Sequence, residues 1–220
     1  MPKLKAHILP RIMDILEKER VESSVVHERH VTQPSTPLDP DGVSHPEPDA
    51  ASILFKNDRM YRHNLARFNY TTYDVRRAQD VINPNTPHCN IMLLAGDSEG
   101  RYDETQHPFL YARVLGIYHV NVVYTGTGSL DYAARRIEFL WVRWFKPTGS
   151  PVNWRDMRLD LISFPPMAHE DSFGFVNPSD VLRGCHIIPA FVSGNVHSDS
   201  IGLSRCANDS RDYHRYYVNR

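Results

Sequence analysis

The sequence predicts a mainly β fold, namely a partly open β-barrel with short helices that follows one amphipathic helix and a disordered linker. Two long segments rich in aromatic and β-branched residues, 109–124 and 135–145, are joined by the Gly-rich connection TGTGSLDYAA. The second segment is apolar on both faces, which is typical of a strand covered on two sides. A third segment, NPSDVLRGCHIIPAF at 177–191, predicts one helical turn followed by a further strand.

The chain before the β domain divides into two parts. Apolar residues recur at helical spacing across 8–20, with Pro10 in the first turn, so residues 1–20 are predicted to hold one amphipathic helix. Residues 21–52 alternate five prolines with Ser, Thr, Asp and Glu and contain few large apolar side chains. Such a segment buries too little surface to offset its ordering entropy, which predicts a disordered linker.

The β domain is expected to span 53–220. Residues 60–73 favour one or two strands, with a short helix across 62–67 as the alternative. A turn at 83–87 precedes a short buried strand at 90–95. Gly116 interrupts the alternation of the first long segment and indicates a bulge or a close backbone approach. Residues 158–164 predict another strand, and the tail from Arg211 onwards predicts an edge strand whose tyrosines cover the barrel.

Composition argues against several classes of protein. The 25 basic and 26 acidic residues give a net charge of −1, so a surface dominated by positive potential is not expected. Three cysteines without a CxxC pair are typical of free thiols in an intracellular protein. No segment approaches the roughly 20 apolar residues of a membrane span, and no signal-peptide pattern is evident. We therefore expect an intracellular protein that makes no membrane contact.

The order of the β segments resembles the bromo-adjacent homology (BAH) domain. The block YARVLGIY is followed by EFLWVRWF, then by RLDLISF and finally by NPSDVLRGCHIIP. This resemblance implies a small β-barrel that recognises chromatin proteins. It also implies that Cys185 is a buried structural cysteine.

A second resemblance covers almost the whole chain. The strings FKNDRMYRHN, NYTTYDVRRAQDVINP, HPFLYARVLGIYHVNVVYTG and EDSFGFVNPSDVLRGCHIIPAF are similar to a conserved C-terminal region of open reading frames. These frames accompany transposons of the Kyakuja–Dileera–Zisupton and Plavaka type in mushroom-forming fungi. The resemblance implies a transposon-derived, nuclear protein with a transposase as a candidate partner. Such frames usually continue past YYVNR, which implies a chain truncated at its C-terminus.

No catalytic or metal-binding residue is assigned from the sequence. The chain contains no nucleophile elbow, P-loop or GxGxxG motif. The pairs His88-Cys89 and Cys185-His186 could supply one zinc ligand each beside His197, Cys206 or His214, but adjacent strand residues point to opposite faces. We predict buried thiols and hydrogen-bonded imidazoles instead, and we assign no cofactor.

Aromatic residues of the two long segments are the candidate ligand-binding residues. Rings around a cavity can bind a methylated ammonium group, as some BAH domains do. The candidates are Tyr111, Tyr118, Trp141 and Trp144, although most of these rings are expected to fill the core. Recognition is then expected in the flanking loops, 96–107 and 125–136.

Basic residues in doublets or beside tyrosines are the candidates for contact with DNA. Guanidinium groups next to aromatic faces suit phosphate contact and base stacking. The candidates are Arg76, Arg77, Arg135, Arg136, Arg211 and Arg215. The predicted function is non-enzymatic recognition of a chromatin protein, a histone tail or a transposase. The alternatives are a DNA-binding accessory of transposition or, less favoured, a metal-dependent nuclease.

Overall fold

The computed structural model describes residues 1–28, 48–71, 77–95, 107–127, 129–148 and 159–219. These residues form an N-terminal α-helix followed by β-strands in three separate sheets. The prediction of a mainly β fold is confirmed. The predicted barrel is wrong, because the sheets do not close on one another.

The chain divides into two compact units. The first unit comprises Met1–Tyr61 and His119–Ile137, and the second comprises Arg62–Tyr118 and Glu138–Arg220. The long segments that dominate the sequence pattern contribute residues to both units. Each unit is described separately.

The first unit begins with helix α1 (Pro2–Glu28). Its buried residues Leu4, Ile8, Ile12 and Leu16 are spaced by four, so they lie on one face of the helix. The predicted helix is confirmed but is longer than expected, and Pro10 lies inside it rather than in its first turn. Residues 21–28 belong to the helix and not to a linker, because VESSVVHE contains no Pro or Gly that would end it. No helix among the described residues is long and apolar enough to cross a membrane.

Strand β1 (Ile53–His63) starts directly after a capped 3-10 turn at Ala50–Ser52. The Asp49 carboxylate accepts a hydrogen bond from the backbone N–H of Ala51 at 2.9 Å and so fixes this turn. β1 pairs with β5 (Phe109–Tyr124). Residues 60–73 therefore contain strand rather than helix, since the described part of the segment continues as β2 (Ala66–Thr71).

The main sheet of the second unit has the strand order β10-β4-β5-β6-β9. The pairs β10–β4, β4–β5 and β6–β9 are antiparallel, and Met92 lies opposite Tyr111 and Val142 opposite Gly174. The predicted strand at 90–95 is confirmed as β4, and the predicted helical turn is confirmed as a 3-10 turn at Pro178–Asp180 that Asn177 caps. The remaining bounds are β4 (Asn90–Leu94), β6 (Arg135–Trp144), β9 (Phe173–Val176) and β10 (Val181–Gly184).

Two smaller sheets complete the second unit. β2 pairs with β3 (Arg77–Ile82) as an antiparallel ladder. The other sheet has the order β11-β12-β8-β7, and its strands are β7 (Lys146–Pro147), β8 (Asp160–Ser163), β11 (His186–Pro189) and β12 (Tyr216–Asn219). The tail strand β12 thus lies between two partners, and its prediction as an edge strand is wrong. The alternation of apolar and polar residues along a strand indicates which of its faces are buried, but it does not indicate which strands pair with its edges.

Two apolar clusters cover opposite faces of the main sheet. Leu140 and Val142 of β6 share a cluster with Phe68 and Ile82 of the β2–β3 sheet. On the other side, Phe145 and Tyr111 pack with residues of β8 and β12. A strand covered by two further sheets shows the same two-faced apolar pattern as a strand within a barrel. This explains why the pattern predicted a barrel.

Candidate functional site

Of the four candidate aromatic residues, Tyr111 lies in the core and Trp144 packs against it. Tyr111 is 1% exposed, and its hydroxyl donates a hydrogen bond to Asp160 Oδ2 at 2.8 Å. Trp144 packs against the cluster that contains Leu140, and its Nε1 lies 2.5 Å from the position that a Cβ at residue 174 would occupy. Gly174 therefore lets the indole cover the backbone of β9. The Tyr111 ring is therefore not available for a ligand cage, and Trp144 is half-buried but lines neither of the two clefts described below.

The other two rings are half-buried and line the same cleft, which has a volume of about 500 Å³. Tyr118 stacks on Phe139 with the ring centroids 5.6 Å apart. Trp141 stacks on Phe173 at 6.2 Å. Each ring is therefore held by a phenylalanine while part of its surface faces the cleft.

Gly116 is required for the position of Tyr118. A Cβ at residue 116 would overlap the phenol ring, whose hydroxyl oxygen lies 2.7 Å from that position. The close approach predicted from the interrupted alternation is therefore confirmed, and the approaching group is the Tyr118 ring.

Arginine side chains surround the two rings. Arg62, Arg113 and Arg205 line the cleft of Tyr118 and Trp141. A second cleft of about 390 Å³ shares Arg113 and three further lining residues, Pro84, Asn85 and Asn208, with the first cleft, and it adds Arg211. Because the two clefts share these residues, they adjoin each other, and we call the pair the arginine groove.

The arginine groove carries excess positive charge. Arg62, Arg205 and Arg211 are exposed, and no ion pair or side-chain hydrogen bond joins any of the three guanidinium groups to another described residue. Of the carboxylates in the part of the chain that the structure describes, Asp212 lines the groove, and it is 2% exposed. Three guanidinium groups therefore remain available to a ligand that approaches from solvent.

A buried ion network beneath the groove neutralises the fourth arginine. Asp212 accepts a hydrogen bond from Arg113 at 2.7 Å and another from Tyr216 at 3.1 Å, and it is also ion-paired with Arg143. Burial by itself lowers the pKa of Arg113, but the charge of Asp212 and the hydrogen bond to it outweigh that effect and leave the pKa above its ordinary value. Arg113 is therefore a structural cation.

The same network contains stacked aromatic residues. Arg143 and Arg113 lie over the Phe164 ring. The distance from the guanidinium carbon to the ring centroid is 3.9 Å for Arg143 and 4.5 Å for Arg113. Burial, followed by the negative charge of Asp212, raises the pKa of Tyr216 to about 12. Its hydroxyl therefore stays protonated at neutral pH and keeps donating to Asp212.

A buried aspartate shapes the loop that presents Arg205 and Asn208. The carboxylate of Asp209 accepts hydrogen bonds from the backbone N–H groups of Leu203 at 2.8 Å and Ser204 at 3.0 Å. Its Oδ2 also lies 3.2 Å from His197 Nε2. Burial by itself raises the pKa of Asp209, but these backbone donors and His197 outweigh it and hold the pKa below its usual range.

The candidate arginines for DNA contact have different locations. Arg211 lines the groove, whereas the exposed Arg77 and Arg215 do not line either cleft. Arg135 is paired within the first unit with Glu19 and with Asp131, and its side chain is 11% exposed. Those pairs occupy the guanidinium, so Arg135 is not a free contact. Arg136 is exposed, and Arg76 lies outside the described residues.

Sequence reasoning missed Arg62 and Arg205. Each is an isolated arginine in its segment, MYRHN and SRCAN, and no doublet marks it. The two come together with Tyr118 and Trp141 only through the fold. None of the described residues of the predicted recognition loop 125–136 lines either cleft, and residues 96–106 of the other predicted loop lie outside the described residues.

The cysteines and histidines do not form a metal centre among the described residues. No group of three or more His, Cys, Asp or Glu in this part of the chain could hold a metal ion. Burial raises the pKa of Cys185 to about 12, so this thiol stays protonated at neutral pH and is a poor nucleophile. Burial also raises the pKa of Cys89. Cys206 is exposed and lines the groove.

The fold and the groove define a mainly β chain with an arginine-lined, aromatic-containing surface depression. Comparisons with known proteins add no closer assignment. No protein-family model, curated protein or solved structure matches the chain.

Proposed function

We propose that this chain is a non-enzymatic recognition module whose arginine groove binds nucleic acid, as an accessory of a transposon-derived protein. The observation that carries the proposal is the position of Arg62, Arg205 and Arg211 beside Tyr118 and Trp141. The BAH-like order of β segments and the similarity to transposon-associated frames supply the biological setting of the proposal.

The chemistry of the groove suits a phosphodiester chain. A guanidinium group binds two phosphate oxygens at once, and such charge-assisted hydrogen bonds are about twice as strong as neutral ones. Aromatic faces next to these groups stack with bases. Among the described residues, Asp212 is the carboxylate that lines the clefts, and it is buried and paired with Arg113 and Arg143, so it repels phosphate little.

The same charges disfavour a histone tail as the ligand of the groove. A methylated ammonium group binds where aromatic rings attract it and no cation competes. Arg62 and Arg205 share the cleft with both rings, so a basic tail would meet like charge at close range. Binding of a chromatin protein or a transposase through another surface stays a prediction.

Removal of the three free arginines is expected to abolish most nucleic-acid binding. The variant R62A/R205A/R211A should bind a labelled oligonucleotide at least about tenfold more weakly than the wild type, because three phosphate contacts are lost. The measurement is fluorescence anisotropy at low salt, with histone-tail peptides as competing probes.

The matched control is R67A/R77A/R215A, which removes the same charge from exposed positions that do not line the groove. This control should retain most of the affinity. Equal losses in the two triple variants would place binding outside the groove. Tighter binding of a histone tail than of the oligonucleotide would contradict the proposal, and so would cleavage of the oligonucleotide by the purified chain.

A further inference from the structure

The two groove rings have the properties of a base-stacking platform. We infer that the groove takes single-stranded nucleic acid, with unpaired bases stacked on Trp141 and Tyr118 and with phosphates on the free arginines. This inference rests on the proposed function and names its ligand class.

Each ring of the platform is fixed from one side. Phe139 stacks behind Tyr118 with 25° between the ring planes, and Phe173 stacks behind Trp141 with 27°. Because these contacts already restrict the side-chain torsions, little conformational entropy remains to be lost when a base stacks on them. A preorganised ring is therefore a better platform than an exposed, freely rotating ring.

The arrangement of charge indicates a ligand longer than one nucleotide. Arg62 and Arg205 lie in the cleft of the rings, whereas Arg211 lies in the adjoining cleft. The two clefts, of about 500 and 390 Å³, are each of the size that encloses a small organic ligand, roughly 300–1,000 Å³. A strand with bases in the first cleft can continue its backbone past Arg211.

A duplex does not fit this chemistry. The bases of a double helix are stacked on one another and present only their edges in the grooves, so their faces are not available to a protein ring. Unpaired bases expose a π-face and their hydrogen-bonding edges. Asn85 and Asn208 line both clefts and can provide amide donors and acceptors to those edges.

The test compares four probes with the full chain. They are a 20-nucleotide thymidine oligonucleotide, an abasic strand with the same number of phosphates, a 20-base-pair duplex and a polyglutamate peptide. The expected result is that the oligonucleotide binds at least about fivefold more tightly than the abasic strand, since each base stacked on one of the two rings contributes about 1–3 kcal/mol, or about 5- to 150-fold. The duplex and the peptide should bind no better than the abasic strand.

Variants of the rings separate stacking from charge. Trp141→Ala should lose the part of the preference for the oligonucleotide that depends on this ring, about 5- to 150-fold, while retaining binding to the abasic strand. Tyr132→Ala, at a tyrosine that is 76% exposed in the first unit, is the matched control and should keep the preference. A second readout uses W144F/W154F, in which Trp141 is the remaining tryptophan. Its fluorescence should be quenched by the oligonucleotide and not by the abasic strand.

The outcomes distinguish failure of the single-strand inference from failure of the proposed nucleic-acid function. Equal binding of the oligonucleotide, the abasic strand and the duplex, still lost in R62A/R205A/R211A, would overturn the single-strand inference and leave the nucleic-acid function standing. Polyglutamate binding as tight as oligonucleotide binding would also overturn the inference, because the groove would then accept any polyanion. No binding of any nucleic acid at low salt would overturn both.

Discussion

Replacement of Asp212 by alanine is expected to lower the free energy of unfolding by about 3–5 kcal/mol. The carboxylate is 3% exposed and holds Arg113 and Arg143, whose side chains are 15% and 6% exposed. Without Asp212, two guanidinium groups stay largely removed from water with no compensating charge. The measurement is urea unfolding monitored by circular dichroism. The dependence of the unfolding free energy on urea concentration is compared between variants to check that the unfolding transition is of the same kind.

The control for this prediction is Asp171→Ala, which removes a carboxylate that is 77% exposed. Exposed pairs contribute little, so a change of less than about 1 kcal/mol is expected. An Asp212→Ala protein as stable as the Asp171→Ala protein would show that the network beneath the groove does not stabilise the fold. The ion pairs would then be replaceable by solvent.

The second large effect is expected for Phe139→Ala, which should cost about 3–5 kcal/mol. Phe139 is 1% exposed and contacts two rings, Tyr118 at 5.6 Å and Phe175 at the same centroid distance. The substitution leaves a cavity and also removes the support behind Tyr118. Oligonucleotide affinity should therefore fall together with stability.

Two controls isolate these contributions. Phe139→Leu keeps most of the side-chain volume and should cost less than Phe139→Ala. Phe191→Ala truncates a phenylalanine that is 69% exposed and should leave stability within about 1 kcal/mol. If Phe139→Ala and Phe191→Ala destabilise the protein equally, Phe139 is not a core residue as described.

Much of the strand content could be predicted because period-two alternation is a local property. The segment 109–124 alternates on either side of the interruption at Gly116 and forms one strand of 16 residues. The turn at 178–180 has a local signal as well, since Asn177 accepts a hydrogen bond from the N–H of Ser179 at 3.2 Å. Local hydrogen bonding and pleat geometry are read directly from consecutive residues.

The arrangement of the strands could not be predicted in the same way. Apolar residues on both faces of β6 indicate that other parts of the chain pack on both faces. They do not indicate whether those parts belong to a closed barrel or to two further sheets. β12 illustrates the same difficulty, because its alternation does not reveal that β11 and β8 pair with its two edges. Pairing partners are determined by contacts distant in sequence.

The candidate site was only partly predictable for a related reason. Tyr118 and Trp141 stood out as aromatic residues in long strands, but so did Tyr111, whose burial follows from packing against β8 and β12. Arg62 and Arg205 are separated by 143 positions in the sequence, and only the fold brings them into one cleft. Charge in doublets is visible in a sequence, whereas charge assembled from isolated residues is not.

The salt dependence of oligonucleotide binding tests the central claim most directly. Each phosphate neutralised on a single strand contributes about −0.7 to the slope of log K against log salt concentration. We predict that the slope of R62A/R205A/R211A is shallower than that of the wild type by about 2, and that R67A/R77A/R215A keeps the wild-type slope. Identical slopes for the wild type and the groove variant would contradict the account, since phosphates would then not be bound in the arginine groove.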